Sequence, residues 1–177
     1  MMMTIPYRLL LRETACRVLL ASGTDAGEKV FTARSMPSEA KQLPQIVLQV
    51  PIDRGESFGR AAPGFRRVAY LVAVGKVSHS SAEKTELALD RLGSQIEYAL
   101  MQSPALQGMI QQVTEIDLRV QIDASGETFL GMVTVRLGLE YIEYFELTGL
   151  PLAEIDGKMS ANGNDDFADL RVTFPNQ

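Results

Sequence analysis

Two long alternating segments in the second half of the chain constrain the fold most strongly. In "TEIDLRVQID", residues 114–123, apolar and polar side chains alternate, and after the turn "ASGE" the alternation resumes from Phe129 to Tyr141. This period of two requires a strand with one buried and one solvated face. We predict a long hairpin whose second strand exceeds the usual length and either bends at Gly131 or Gly138 or extends past its own sheet. The residues expected to face the core from its first strand are Ile116, Leu118, Val120 and Ile122.

An amphipathic helix is predicted just before this hairpin. Ser80 and Glu83 have the spacing of a capping box, and apolar residues then recur every three or four positions from Ala82 to Met101. Gly93 interrupts the stripe at a cost of about 1 kcal/mol relative to alanine. A glycine there indicates close packing against a sheet, and a tolerated imperfection fits equally well. A second amphipathic helix is predicted over Tyr7–Ala21.

Three further strands are predicted between the two helices: "KVFTAR" (29–34), a segment bracketed by Pro44 and Pro51, and "RRVAYLVAVGKV" (66–77). The last is apolar on both sides, which is typical of a central strand. In the bracketed segment, alternation assigns Ile46, Leu48 and Val50 to the core. The sequence therefore predicts an α+β fold: a single mixed or antiparallel sheet of about 4–5 strands, including the C-terminal hairpin, with two main helices packed on it.

Composition divides the 177 residues into one domain, 1–146, and a C-terminal segment, 147–177. Within the domain, residues 52–65 have three glycines, a proline and no periodicity, which predicts a long mobile loop. The C-terminal segment has five carboxylates against Lys158 and Arg171. It is predicted to be an extension or arm, with either a short strand at 169–174 or order gained only on a partner.

Charge and hydropathy exclude several classes of protein. The net charge of −5 lacks the basic excess with which a protein displaces counterions from phosphates, so we expect no specific nucleic-acid binding. No apolar run approaches the roughly 20 residues that span a bilayer, so we expect no membrane association and synthesis in the cytoplasm. The lone Cys16 is expected to be a small buried residue.

A search for catalytic chemistry finds little. His79 is the only histidine; it could flank the helix as a polar residue or serve as a general base, and no nucleophile motif accompanies it. The glycines of 52–65 lack phosphate-loop spacing, and Asp165, Asp166 and Asp169 lack that of a calcium loop. We expect no enzyme activity, no metal and no cofactor.

Charged residues supply the candidate site instead. Arginines cluster in and beside residues 52–65, where they are either solvated or form a contact with an acidic neighbour, since arginine is enriched at protein interfaces. Two charged residues of the long hairpin strand complete the set. The candidate interface residues are Arg54, Arg60, Arg66, Arg67, Arg136 and Glu140.

The order of these elements carries a resemblance. With "LPQIVLQVP", "AEKTELALDRLGSQIEYAL" and "VTVRLGLEYIEYF", residues 5–145 resemble the tail terminator proteins of long-tailed bacteriophages, the lambda-type family that also occurs in prophages and phage-like particles. The segments 52–65 and 147–177 depart from the compact pattern of that family.

The resemblance implies a small sheet with helices packed on it and assembly into a homohexameric ring. Such a ring caps the tail tube, ends its polymerisation and presents a surface for head-tail joining, at the head-proximal end of the virion tail. The implied partners are other copies of the chain, the major tail tube protein and a head-completion or neck connector protein, and DNA would pass through the ring. Another neck or tail-completion protein is the alternative, and a small ligand-binding module or enzyme using His79 is the alternative of another class.

Overall fold

The computed structural model describes residues 5–32, 42–59, 63–123, 128–145, 154–162 and 164–173. The chain divides into two compact units, Met1–Tyr144 and Phe145–Gln177. The elements of the first unit are α1 (Tyr7–Ala21), β1 (Val30–Thr32), β2 (Gln45–Ser57), β3 (Gly64–His79), α2 (Ala82–Met101), α3 (Pro104–Gln107), β4 (Gln112–Asp123) and β5 (Phe129–Tyr144).

The first unit is built on a five-stranded mixed sheet with the order β1-β2-β3-β5-β4. β1 is parallel to β2, and every other neighbouring pair is antiparallel. This confirms the predicted α+β class. β3 lies in the middle, between β2 and β5, as its apolar sequence predicted. The order leaves β1 and β2 at one side of the sheet and β4 at the other.

Both long helices pack on the same face of the sheet. α2 lies over β3, β5 and part of β4, whereas α1 lies over β1 and β2. The helix-covered face of the sheet is formed by alternate residues of each strand, and its core includes Ile46, Leu48, Leu71, Ala73, Val133, Val135, Leu137 and Leu139. We call this the covered face and the other the open face.

Glycines let α2 lie close to the sheet. A Cβ added to Gly131 would stand 2.6 Å from Leu89 Cδ1, and one added to Gly75 would stand 2.8 Å from Leu92 Cδ2. On the helix itself, a Cβ on Gly93 would stand 3.0 Å from Leu118 Cδ1 of β4. The close packing that Gly93 indicated is therefore present.

The start of α2 differs from the prediction by one residue. Ser81, not Ser80, is the N-cap, and its hydroxyl accepts a hydrogen bond of 3.3 Å from the backbone N–H of Lys84. The capping box of Ser80 and Glu83 was wrong because β3 continues to His79, which moves the first helical turn one residue onward. By contrast, α1 has the predicted bounds.

The structure corrects the predicted loop at residues 52–65. β2 continues through Ser57, and β3 begins at Gly64, so both described ends of the segment are paired strand. The register shifts between Gln49 and Ile52, where one extra residue forms a β-bulge beside Pro51. A proline is tolerated at a bulge because no ladder amide is needed there, so the strand does not end at Pro51.

The second unit contains a hairpin of β6 (Glu154–Ala161) and β7 (Asn164–Thr173). Arg171 Nε donates to Asp156 Oδ1 across the pair at 2.8 Å. The strand considered at 169–174 overlaps β7, whereas β6 was not predicted.

The glycine contacts give a first testable prediction. Replacing Gly131 with Ala should lower the free energy of unfolding by about 1–3 kcal/mol, because the added methyl group overlaps Leu89 and Thr85 of α2. Chemical denaturation of the purified protein measures this change. Thr134→Ala, on the open face of the same strand, is the matched control and should change it by less than about 1 kcal/mol. Equal effects of the two substitutions would contradict the packing argument.

Candidate functional site

The candidate site residues divide between the two faces of the sheet. Arg54, Arg66, Arg136 and Glu140 lie on the open face, whereas Arg67 lies on the covered face. Arg60 lies outside the described residues. Among the helices that the structure describes, none packs on the open face.

Two of the predicted arginines flank one aromatic ring on the open face. The guanidinium carbons of Arg136 and Arg54 lie 5.5 Å and 5.9 Å from the centre of the Tyr70 ring. Both distances are within the range of a cation–π contact. Arg136 also lies 3.7 Å from a carboxylate oxygen of Glu115 on β4. These residues and Ile52 line a shallow cleft of about 220 Å³.

The other two open-face residues lie apart from this cleft. The guanidinium of Arg66 lies 5.9 Å from the Phe58 ring, which in turn is 6.2 Å from the ring of Tyr144. Glu140 accepts a hydrogen bond of 3.2 Å from the side-chain amide of Gln112 on β4. The predicted set is thus a line of separate contacts across the open face and not a single cluster.

Arg67 belongs to a polar network inside the first unit. Its guanidinium contacts Asp53 at 3.1 Å and Glu143 at 2.6 Å. The hydroxyl of Tyr141 donates to Asp53 Oδ2, which Arg67 also contacts, at 2.9 Å. The ring of Tyr7 packs on Tyr141 with centroids 4.6 Å apart. The Asp53 side chain is only 6% exposed, so Arg67 neutralises a buried carboxylate. These contacts of Arg67 are internal to the first unit, and its role at an interface stays a prediction.

The network changes the acidity of Tyr141, whose side chain is almost fully buried. Burial, together with the hydrogen bond to the negative Asp53, raises the pKa of Tyr141 well above the usual value for tyrosine. The folded protein therefore keeps this phenol neutral, so that its hydroxyl can donate a hydrogen bond to Asp53.

The described residues offer little for covalent chemistry. His79 is exposed, at the end of β3, and its ring makes no hydrogen bond to another described residue. Cys16 is buried, and that burial raises the pKa of its thiol, as expected of a packing residue. Within the described ranges, no three His, Cys, Asp or Glu residues are grouped to hold a metal ion. None of the described helices has both the length and the hydropathy to cross a membrane.

The apolar residues of β4 are more exposed than the sequence predicted. It ends the sheet, and no described strand pairs with its outer edge. Its apolar residues point to the covered face, as predicted, but α2 reaches only part of the way over them. Their exposed fractions are 50% for Ile116, 39% for Leu118, 37% for Val120 and 38% for Ile122.

An acidic row on α2 borders these residues and was missed from the sequence. Gly93 marks the side of the helix that faces Leu118 of β4. The row consists of Glu86 and Asp90, seven and three residues before Gly93, and Glu97, four residues after it. These spacings place all three on the same side of the helix as Gly93. None of the three makes an ion pair with another described residue. The spacing was visible in the sequence, but only the position of β4 shows that the row adjoins an apolar strand.

Among solved structures, this chain has a distant likeness to a component of a virus-like particle. A chain in a structure described as the virion of a native gene transfer agent particle is 12% identical to this chain, with a TM-score of 0.41. The alignment covers 76% of this chain and 94% of that one. No protein-family profile matches the sequence, and no curated protein matches it.

The Arg67 network gives a second prediction. Arg67→Met should lower the free energy of unfolding by about 2–4 kcal/mol, because it leaves the buried Asp53 carboxylate without its cation. Arg66→Met is the matched control: this residue is adjacent in sequence but exposed on the open face, so we expect a change below about 1 kcal/mol. Urea unfolding of both variants measures the difference, and similar values would argue against the network.

Tyr141 gives a third prediction, in the alkaline range. In the unfolded chain its phenol ionises near pH 10, whereas the folded protein retains the proton. The stabilisation that Tyr141 contributes is therefore complete below pH 10 and decreases above it, by up to about 1.4 kcal/mol per pH unit.

Tyr141→Phe removes this dependence. The difference in unfolding free energy between wild type and variant should be about 1 kcal/mol at pH 8 and should shrink by pH 11. Urea unfolding at the two pH values measures it, and a difference that grows with pH would contradict the assignment.

Proposed function

We propose that this chain is a structural assembly protein of a phage-like particle. Its copies form a homohexameric ring that caps the end of the tail tube, stops tube polymerisation and presents a surface for joining to the head. The ring would lie at the head-proximal end of the virion tail and contact the major tail tube protein on one side and a neck connector protein on the other. The chain acts by binding, without a cofactor or a covalent step.

The observation that carries the proposal is the outer edge of β4, with which no described strand pairs, and its half-exposed apolar row. Monomeric proteins usually blunt such edges with charge, proline or very short strands. β4 has 12 residues and keeps four large apolar residues exposed by at least 37%. An edge of this kind is suited to a protein–protein contact.

The sequence resemblance supports the particular kind of assembly. The segments that carry it correspond to β2, α2 and β5, three of the elements that form the first unit. A ring subunit also needs two different lateral surfaces, because head-to-tail contacts join unlike patches. β4 with α2 and β2 with α1 lie at opposite sides of the sheet and differ in sequence, which satisfies this requirement.

The open face suggests how the ring would bind other proteins. Tyr70 between Arg54 and Arg136 combines an aromatic ring with two cations, the residue types enriched at binding hot spots. Exposed apolar residues such as Ile52 and Ile142 extend the surface. We assign this face to contacts with the tube or the connector, because it lies away from the helices.

The fourth prediction is the assembly state. The purified chain should form particles about six times its mass of 19.4 kDa, measured by light scattering, and negative-stain images should show rings with a central hole. When the ring is added to polymerising tube protein of the same particle, tubes should stop lengthening. A chain that stays monomeric and leaves tube length unchanged would contradict the proposal.

The alternative roles give different results in the same experiments. A neck or tail-completion protein would bind the head side and leave the tube length unaltered. For a ligand-binding protein or an enzyme, His79→Ala would abolish activity toward a small molecule and leave tube capping unaffected. Loss of capping in Arg54→Ala/Arg136→Ala, with an unchanged ring mass, would assign capping to the open face.

A further inference from the structure

Building on the proposed ring, we infer which surfaces join its subunits: the outer edge of β4 and the adjoining side of α2 in one copy bind the outer edge of β2 and the adjoining side of α1 in the next. The partner of the β4 edge is therefore a second copy of this chain. These two surfaces match in charge and strand direction, and each includes a strand edge with which no described strand pairs.

The surface that β4 and α2 contribute to this contact is apolar and acidic. It consists of the four half-exposed residues of β4 and the row of Glu86, Asp90 and Glu97 on α2. On the open face, β4 also carries two acidic residues, Glu115 and Asp117, and one basic residue, Arg119. A surface that binds here must bring apolar side chains beside the β4 row and positive charge beside α2.

The opposite side of the sheet offers both. β1 pairs only with Ile46–Leu48, so from Gln49 to Ser57 no described strand pairs with the outer edge of β2. Between β2 and α1 is a cleft of about 210 Å³ lined by Pro6, Arg8, Leu9, Arg12 and Val50. Apolar surface and two arginines therefore adjoin this part of the β2 edge.

The charges on this side are positive where the acidic row would lie. Arg8 is exposed and makes no ion pair with another described residue. Arg12 Nη2 contacts Glu13 at 2.9 Å, and its side chain is 22% exposed. In the joined pair, Arg8 and Arg12 of one copy approach Glu86, Asp90 and Glu97 of its neighbour.

Strand directions are compatible with such pairing. β2, β3, β5 and β4 alternate in direction along the sheet. A further β2 placed outside β4 with its helices on the same face therefore continues the antiparallel alternation. The contact joins unlike surfaces, so repeating it by rotation produces a closed ring and not a two-fold dimer.

Two charge-reversed proteins test the assignment. The acidic-side variant is Glu86→Lys/Asp90→Lys, and the basic-side variant is Arg8→Glu/Arg12→Glu. Each alone places like charges across the contact and should raise the concentration needed for half-assembly at least about tenfold at low salt. Matched controls are Lys84→Glu and Arg17→Glu, which reverse charges on the exposed sides of the same two helices, away from the contact.

Mixing the two variants is the decisive measurement. In an alternating ring, each lysine-bearing surface meets a glutamate-bearing one, and each unchanged acidic surface meets an unchanged basic one. At a concentration at which neither variant assembles alone, the equimolar mixture should therefore form rings of wild-type mass, measured by light scattering. Circular dichroism of each variant verifies that its fold is intact.

The outcomes separate this inference from the proposed function. If wild type forms rings and either folded variant also forms them unchanged, or if the mixture fails to assemble, the surface assignment is wrong and the ring stands. If wild type forms no ring at low salt, both are overturned. Loss of assembly in either control variant would likewise count against these surfaces, because it would show a general response to charge.

Discussion

The close approach of α2 to the sheet is the contact on which the first unit depends. Gly75 and Gly131 leave room for Leu92 and Leu89 to reach the strands directly. Interiors are packed at the density of organic crystals, so even one added methyl group at such a position must displace its neighbours. A helix packed this closely covers β3 and β5 and extends over only part of β4. The exposed apolar edge is a consequence of that placement.

The sequence was sufficient where burial follows a regular period. α1, α2, β3 and the β4–β5 hairpin have the periodicity of an element with a defined covered face, and each was predicted near its described position. The second half of β2 lacked this signal. Residues 52–57 are strand because β3 pairs with them, and an edge strand with mostly exposed side chains has no alternation to detect.

For single residues of the candidate site, too, the sequence did not show which face of the sheet they occupy. Arg66 and Arg67 are neighbours in the sequence, but strand geometry directs them to opposite faces. The apolar residues of β3 occur on both faces, so the sequence alone could not indicate which face the helices cover. The partner of Arg67 was also hidden, because Asp53 belongs to the segment that was assigned to a loop.

The bulge in β2 makes the length of this strand critical. Before the bulge, the even-numbered residues Ile46 and Leu48 face the helices, and after it the odd-numbered Asp53 does. If the same sequence paired in the regular register without the bulge, every residue after it would turn to the opposite face. Arg54 would then lie opposite Arg67, cation against cation, and Asp53 would face the open side of the sheet. The one extra residue at the bulge therefore decides which charges of this strand are internal and which the protein presents to partners.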